Sequence, residues 1–138
     1  MIMNYRTRED QVAEFNKKFS HPVDENWGLD LLQLRLKLLD EELEELKAEV
    51  NSVSLDISRG RKPSTNLKAN LLKELCDLQY VLSGMAVALG LPVQEAFNRV
   101  HASNMSKLDE DGNPIYREDG KVMKGPNYKP PYLEDLVS

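Results

Sequence analysis

Cysteine is all but missing from this chain: Cys76 is the only one in 138 residues. No intramolecular disulfide can form, and a reducing compartment is the simpler expectation. Histidine is nearly as scarce, with only His21 and His101. A four-helix di-iron site needs Glu-x-x-His pairs, but Asn98 stands three residues before His101 and Lys18 three before His21. That chemistry is not expected here. Neither a P-loop nor a Gly-rich dinucleotide fingerprint is present, so any phosphate must be held by other means. Long apolar runs are also lacking. The best, from Val81 to Val93, is too short to span a bilayer and contains Gly84, Gly90 and Pro92. The opening MIMNYRTRED has no apolar signal core. The net charge of −5 gives no sign of a nucleic-acid partner. A soluble, cytoplasmic protein with no membrane partner is expected.

What is present is helical pattern. The length fits a single domain over 1–138, and 41% hydrophobic with 30% charged residues is ordinary for a soluble protein. Thr7 with Asp10 resembles a capping box, and Val12, Phe15 and Phe19 keep helical spacing, which predicts a first helix near 7–19. Ser20 to Gly28 reads as a connection with Trp27 as its anchor. A second helix is expected from about Leu29 to Val53, where Leu32, Leu36, Leu39, Leu43, Leu46 and Val50 form one stripe. A second stripe of Leu31, Leu34 and Leu38 runs into Glu41, Glu42, Glu45 and Glu49. A basic connection (SRGRKPST, Ser58–Thr65) leads to a third helix over about Asn66 to Leu89, with Leu71, Leu75, Leu78, Leu82, Met85 and Leu89 in the same rhythm. Gly90 reads as its C-terminal cap. A fourth helix carries Val93, Phe97 and Val100 and fades near Lys107. Beyond Leu108, turn signals at Asp111-Gly112 and Asp119-Gly120 suggest a small hairpin of Ile115–Arg117 with Lys121–Met123. The expected fold is all-α: a four-helix bundle core over about 7–107 and an irregular C-terminal arm over 108–138.

The chemistry lies in the carboxylates. Glu41, Glu42 and Glu45 spell EExxE, and after 28 intervening residues Glu74 and Asp77 spell ExxD. Residues three and four apart share a helix face. One such motif alone is usually a solvated face. Two of them on neighbouring helices, one growing out of a leucine stripe, point to a metal site. Two negative charges about 4 Å apart repel by roughly 4 kcal/mol at an effective dielectric near 20. A cluster of this kind calls for a cation, and all-oxygen ligands favour Mg²⁺ or Mn²⁺. Glu44 turns elsewhere. Asp109-x-Asp111-Gly-Asn113 opens like a calcium loop, but Gly120 stands where a bidentate Glu is required, so it reads as a turn. Lys107 and Lys124, with Asn104 nearby, are candidate phosphate contacts, the alternative being ordinary surface lysines, and Tyr128 either stacks on a base or pins the tail. Arg59, Arg61 and Lys62 join the two acidic helices and read as solvated loop charge or, alternatively, as phosphate contacts, and Cys76 points away from Glu74 and Asp77.

The EExxE-x28-ExxD pattern, with RVHASNMSK (Arg99–Lys107) and KGPNYKPP (Lys124–Pro131), resembles the MazG-like all-α nucleoside-triphosphate pyrophosphohydrolases from Leu29 to Pro131. The resemblance implies Mg²⁺-dependent cleavage of a nucleoside triphosphate, often a deoxynucleotide such as dUTP or dCTP, to monophosphate and pyrophosphate. It implies Glu42, Glu45, Glu74 and Asp77 as metal ligands, and Glu41 or Glu42 as the base for the attacking water. Lys107 and Lys124 would balance charge on the departing pyrophosphate. It also implies a homodimer or homotetramer, consistent with leucine on more than one face of two long helices. Two alternatives stand beside it. One is a phosphoribosyl-ATP pyrophosphohydrolase, against which the extra C-terminal segment argues mildly. The other is a non-enzymatic helical module whose acidic face binds a basic partner.

Overall fold

The computed structural model describes residues 7–138. The reading of the opening stretch as lacking a signal core falls largely on residues 1–6, outside the described residues. Among the described residues the fold is all-helical, with four α-helices: α1 (Arg8–Lys18), α2 (Leu29–Ser58), α3 (Thr65–Leu89) and α4 (Val93–Met105). A short 3₁₀ turn at Glu134–Leu136 follows. Among the described residues no strand forms, and no single helix is long and apolar enough to cross a membrane.

The helix ends follow from local chemistry. At α1 the capping box is complete: the Asp10 amide donates to Thr7 Oγ1 and the Thr7 amide to Asp10 Oδ2, each at 3.1 Å. Helix α2 runs five residues past its expected end at Val53. The leucine stripe stops there, but nothing breaks the helix until Gly60 in the left-handed conformation (φ 73°). The Arg61 amide then donates to Asp56 O at 2.8 Å and the Gly60 amide to Ile57 O at 3.0 Å, a Schellman closure. Loss of apolar periodicity marks the end of burial, which is a different event from the end of a helix. Ser64 caps α3 by accepting from the Leu67 amide at 3.1 Å.

Gly90 ends α3 with φ 67°, as its sequence position implies. It carries a second constraint, since a Cβ there would lie 2.0 Å from Asp24 Oδ1. The connection before α2 is tied to this end of α3. Amides of Asp24 and Glu25 donate to Val87 O and Ala88 O at 2.9 Å, and Trp27 Nε1 donates to Leu89 O at 2.9 Å. These bonds fall on carbonyls of the last helical turn, of which Val87 O also accepts from the Gly90 amide at 3.2 Å. Trp27 is therefore the anchor expected of it, through its N–H, while its ring stays 60% exposed.

By compactness the chain divides into two units, Met1–Gly90 and Leu91–Ser138. In the first, α3 packs against both α1 and α2, and Val12, Ala86, Ala88 and Leu89 are buried. The leucine stripe of the long helices is only partly covered: Leu36 is 56% and Leu82 51% exposed. In the second unit, Arg99 on α4 donates to Glu95 at 3.0 Å, Asp135 at 2.6 Å and Tyr132 O at 3.1 Å, holding the arm to the helix. Ser103 donates to Lys129 O at 2.7 Å. The suggested hairpin is reduced to an isolated antiparallel bridge, Tyr116 with Val122. Its pairing is in the expected register, with the Arg117 amide on Lys121 O and the Met123 amide on Ile115 O.

Candidate functional site

Glu42 and Glu45 lie one turn apart on α2, as do Glu74 and Asp77 on α3, and the antiparallel packing of these helices joins the two pairs. Each of the four side chains offers a ligand atom, and all four atoms lie within 4.8 Å of one another. Glu42, Glu74 and Asp77 are half-buried and Glu45 is exposed. Oε2 of Glu42 and Oε2 of Glu74 are buried, and among the described residues neither has a hydrogen-bond partner.

The charges respond to this crowding. The Glu42 carboxyl is pushed above its ordinary value, first by burial, then by the charge of Glu45 and a hydrogen bond shared with it, and by Asp77 and Glu74. Glu74 is also pushed up, again first by burial, with Glu45 and Asp77 adding to the effect and Lys73 opposing it. Lys73 supplies the local counter-charge. Its Nζ donates to Asp77 Oδ2 at 2.7 Å and lies 3.7 Å from Glu74 Oε1. The hydrogen bond to Asp77 leads the causes that push Lys73 up. One exposed ammonium cannot balance four carboxylates, and two buried oxygens remain orphaned. An all-oxygen donor set of this kind fits a hard divalent cation.

Other expected residues are distributed differently. Glu41 is turned outward and lies 3.9 Å from Lys37 Nζ, with more than half of its side chain exposed. Glu44 pairs with Lys47 at 3.1 Å on the surface, away from the cluster, as its helical angle implies. Asn104, Lys107, Lys124 and Tyr128 belong to the second unit. There Lys124 Nζ sits 4.7 Å from the centre of the Tyr128 ring, a cation–π contact. The Lys107 carbonyl accepts from the Gly125 amide at 2.9 Å. Cys76 is an exposed thiol. Sequence reasoning missed Lys73, although its position four residues before Asp77 is an ion-pair signal.

The profile of phosphoribosyl-ATP pyrophosphohydrolase matches residues 12–104, about two thirds of the chain and all four clustered carboxylates. The chain belongs to the phosphoribosyl-ATP pyrophosphohydrolase family. This is an all-α pyrophosphohydrolase family related to the MazG-like enzymes. Membership makes the chain a pyrophosphohydrolase, a hydrolase acting on phosphoric anhydride bonds. No curated protein compared with the chain matches it significantly. Lys107, Lys124 and Tyr128 lie beyond the stretch shared with the phosphoribosyl-ATP pyrophosphohydrolase family.

Proposed function

We propose that this chain uses a divalent cation, Mg²⁺ or Mn²⁺, to release pyrophosphate from phosphoribosyl-ATP. The reading is carried by four carboxylates within 4.8 Å, two with orphaned buried oxygens, inside a stretch matched by that family. Glu42, Glu45, Glu74 and Asp77 would hold the cation. When bound, such an ion supplies charge neutralisation on the polyphosphate and a lowered pKa for water. The protein's own part is to orient and to accept a proton. Glu41 or Glu42 takes the proton of the attacking water. Glu42 is favoured, because its buried Oε2 is free of hydrogen bonds whereas Glu41 faces Lys37. Lys107 and Lys124 have the cationic chemistry for the departing pyrophosphate, Asn104 that of a neutral phosphate donor and Tyr128 that of a base platform.

A second reading, a plain (deoxy)nucleoside triphosphate such as dUTP or dCTP, is favoured by one observation. The ordered arm with its Lys124–Tyr128 contact lies outside the family match. A panel of phosphoribosyl-ATP and nucleoside triphosphates, with and without Mg²⁺ and with pyrophosphate quantified, tests both. Metal-dependent release with the highest kcat/KM for phosphoribosyl-ATP is expected. A dNTP ranking first would favour the second reading, and no release from any substrate would leave an acidic binding module. The exposed stripe of Leu36, Leu43, Leu75 and Leu82 supports a homodimer or homotetramer. Light scattering should then give two or four times the 15.8 kDa chain mass; a monomer would remove the proposal.

A further inference from the structure

Arg35 is the most anomalous charge in the first unit. It is only 5% exposed, and among the described residues its buried Nε has no hydrogen-bond partner and its guanidinium no ion pair. Burial alone lowers its pKa. A buried, unpaired cation is costly to keep out of water, and it persists where something recovers the loss.

Its position suggests what does so. One heptad separates Arg35 from Glu42 on α2, and one heptad separates Gly84 from Asp77 on α3. Glu42 lies in one cluster with Asp77, and Arg35 lies against Gly84: a Cβ on Gly84 would sit 3.2 Å from Arg35 Nη1 and 3.8 Å from Val12 Cγ1. The same antiparallel register thus builds both contacts along one α2–α3 seam. Seven residues at about 1.5 Å rise separate the backbone of Arg35 from that of Glu42 by roughly 10 Å along α2. The absence of a side chain at Gly84 leaves the room it occupies. Ten ångströms is the scale between a phosphate held at the cluster and the base or second sugar of a nucleotide.

We propose that Arg35 is a substrate-binding residue, whose guanidinium donates to an acceptor oxygen on the part of the substrate remote from its triphosphate. This rests on the pyrophosphohydrolase reading above. Guanidinium is suited to the task, because it stays charged and presents a rigid fork of donors to phosphate or carbonyl oxygen. Two sources share that chemistry: the additional phosphate of phosphoribosyl-ATP and a base carbonyl.

The test measures kcat, KM and Mn²⁺ affinity for the wild type, Arg35→Met and Arg35→Lys on the substrate panel. KM should rise about ten- to hundredfold in Arg35→Met, as for a lost charged hydrogen bond, with kcat and Mn²⁺ affinity changed less than threefold. Arg35→Met should also unfold at a higher temperature, since the unpaired cation is gone. If the acceptor is the second phosphate, the preference for phosphoribosyl-ATP over ATP disappears; if it is a base oxygen, KM for dUTP rises. An unchanged KM in both variants overturns the proposal. So does a fall in Mn²⁺ affinity matching the rise in KM, which would make Arg35 a support for the cluster. Should Arg35→Met not fold, Arg35→Lys decides alone, with a rise in KM expected because an ammonium lacks the fork. A wild type that releases no pyrophosphate from any substrate refutes the functional reading itself, a distinct outcome.

Discussion

Glu45→Gln and Asp77→Asn should each lower metal-dependent pyrophosphate release by at least about a hundredfold, the scale at which a few kcal/mol of transition-state stabilisation is lost. Both side chains belong to the four-carboxylate group. Replacing either charge by an amide removes a ligand oxygen and keeps the shape. The folded apoprotein should not suffer for it. Glu45 helps to push Glu42 and Glu74 above their ordinary values, so Glu45→Gln relieves like-charge repulsion, and the metal-free variant should unfold at an equal or higher temperature. Glu44→Gln is the control. Glu44 lies on the same helix but pairs with Lys47 in solvent, and a surface pair contributes about 0–1 kcal/mol. Its turnover should match the wild type. Full activity in both Glu45→Gln and Asp77→Asn, measured by pyrophosphate release, would take these residues out of the reaction.

Without metal, stability should increase as pH falls from neutral into the acid range, the reverse of the common pattern for paired carboxylates. The sign follows from linkage. Glu42 and Glu74 have folded-state pKa values above their ordinary ones, so the native state binds more protons than the unfolded chain between the two values. The slope of unfolding free energy with pH is then negative. The penalty grows as pH rises from the ordinary carboxylate range through the raised values, is complete above them, and is absent below both. A divalent cation should cancel the effect by taking the place of the protons. At a metal concentration about a hundred times Kd, binding adds roughly 2.7 kcal/mol of stability, which is several degrees in unfolding temperature for a chain of this size. Thermal unfolding at a series of pH values, with EDTA and with Mn²⁺, reads both. Curves that coincide with and without the ion would refute the metal site.

Much of this protein could be read from its residues in order. Helix existence followed from the four-three leucine rhythm, since burying an amphipathic stripe is what stabilises a helix in water. Caps at Thr7 and Gly90 followed from backbone chemistry that needs no tertiary partner. EExxE and ExxD placed acids on a shared face of each of two helices, because spacing along a helix is itself a spatial statement. The end of α2 is not legible in the apolar pattern, because that pattern records which face is buried and Gly60 lies beyond the last buried turn. Arg35 could not be singled out at all. In the sequence it is one more basic residue among leucines, and its meaning comes from lying opposite Gly84 with its buried Nε lacking a hydrogen-bond partner among the described residues.

The chain alone therefore determined which segments are helical and which faces carry acid, because those depend on neighbours within four residues. Only the tertiary structure decided which acids meet, that Lys73 partly neutralises them and that Glu41 faces away. It also decided that a lone guanidinium lies buried further along the same helix pair. Those outcomes depend on the register between α2 and α3, which is set by packing between residues some forty positions apart.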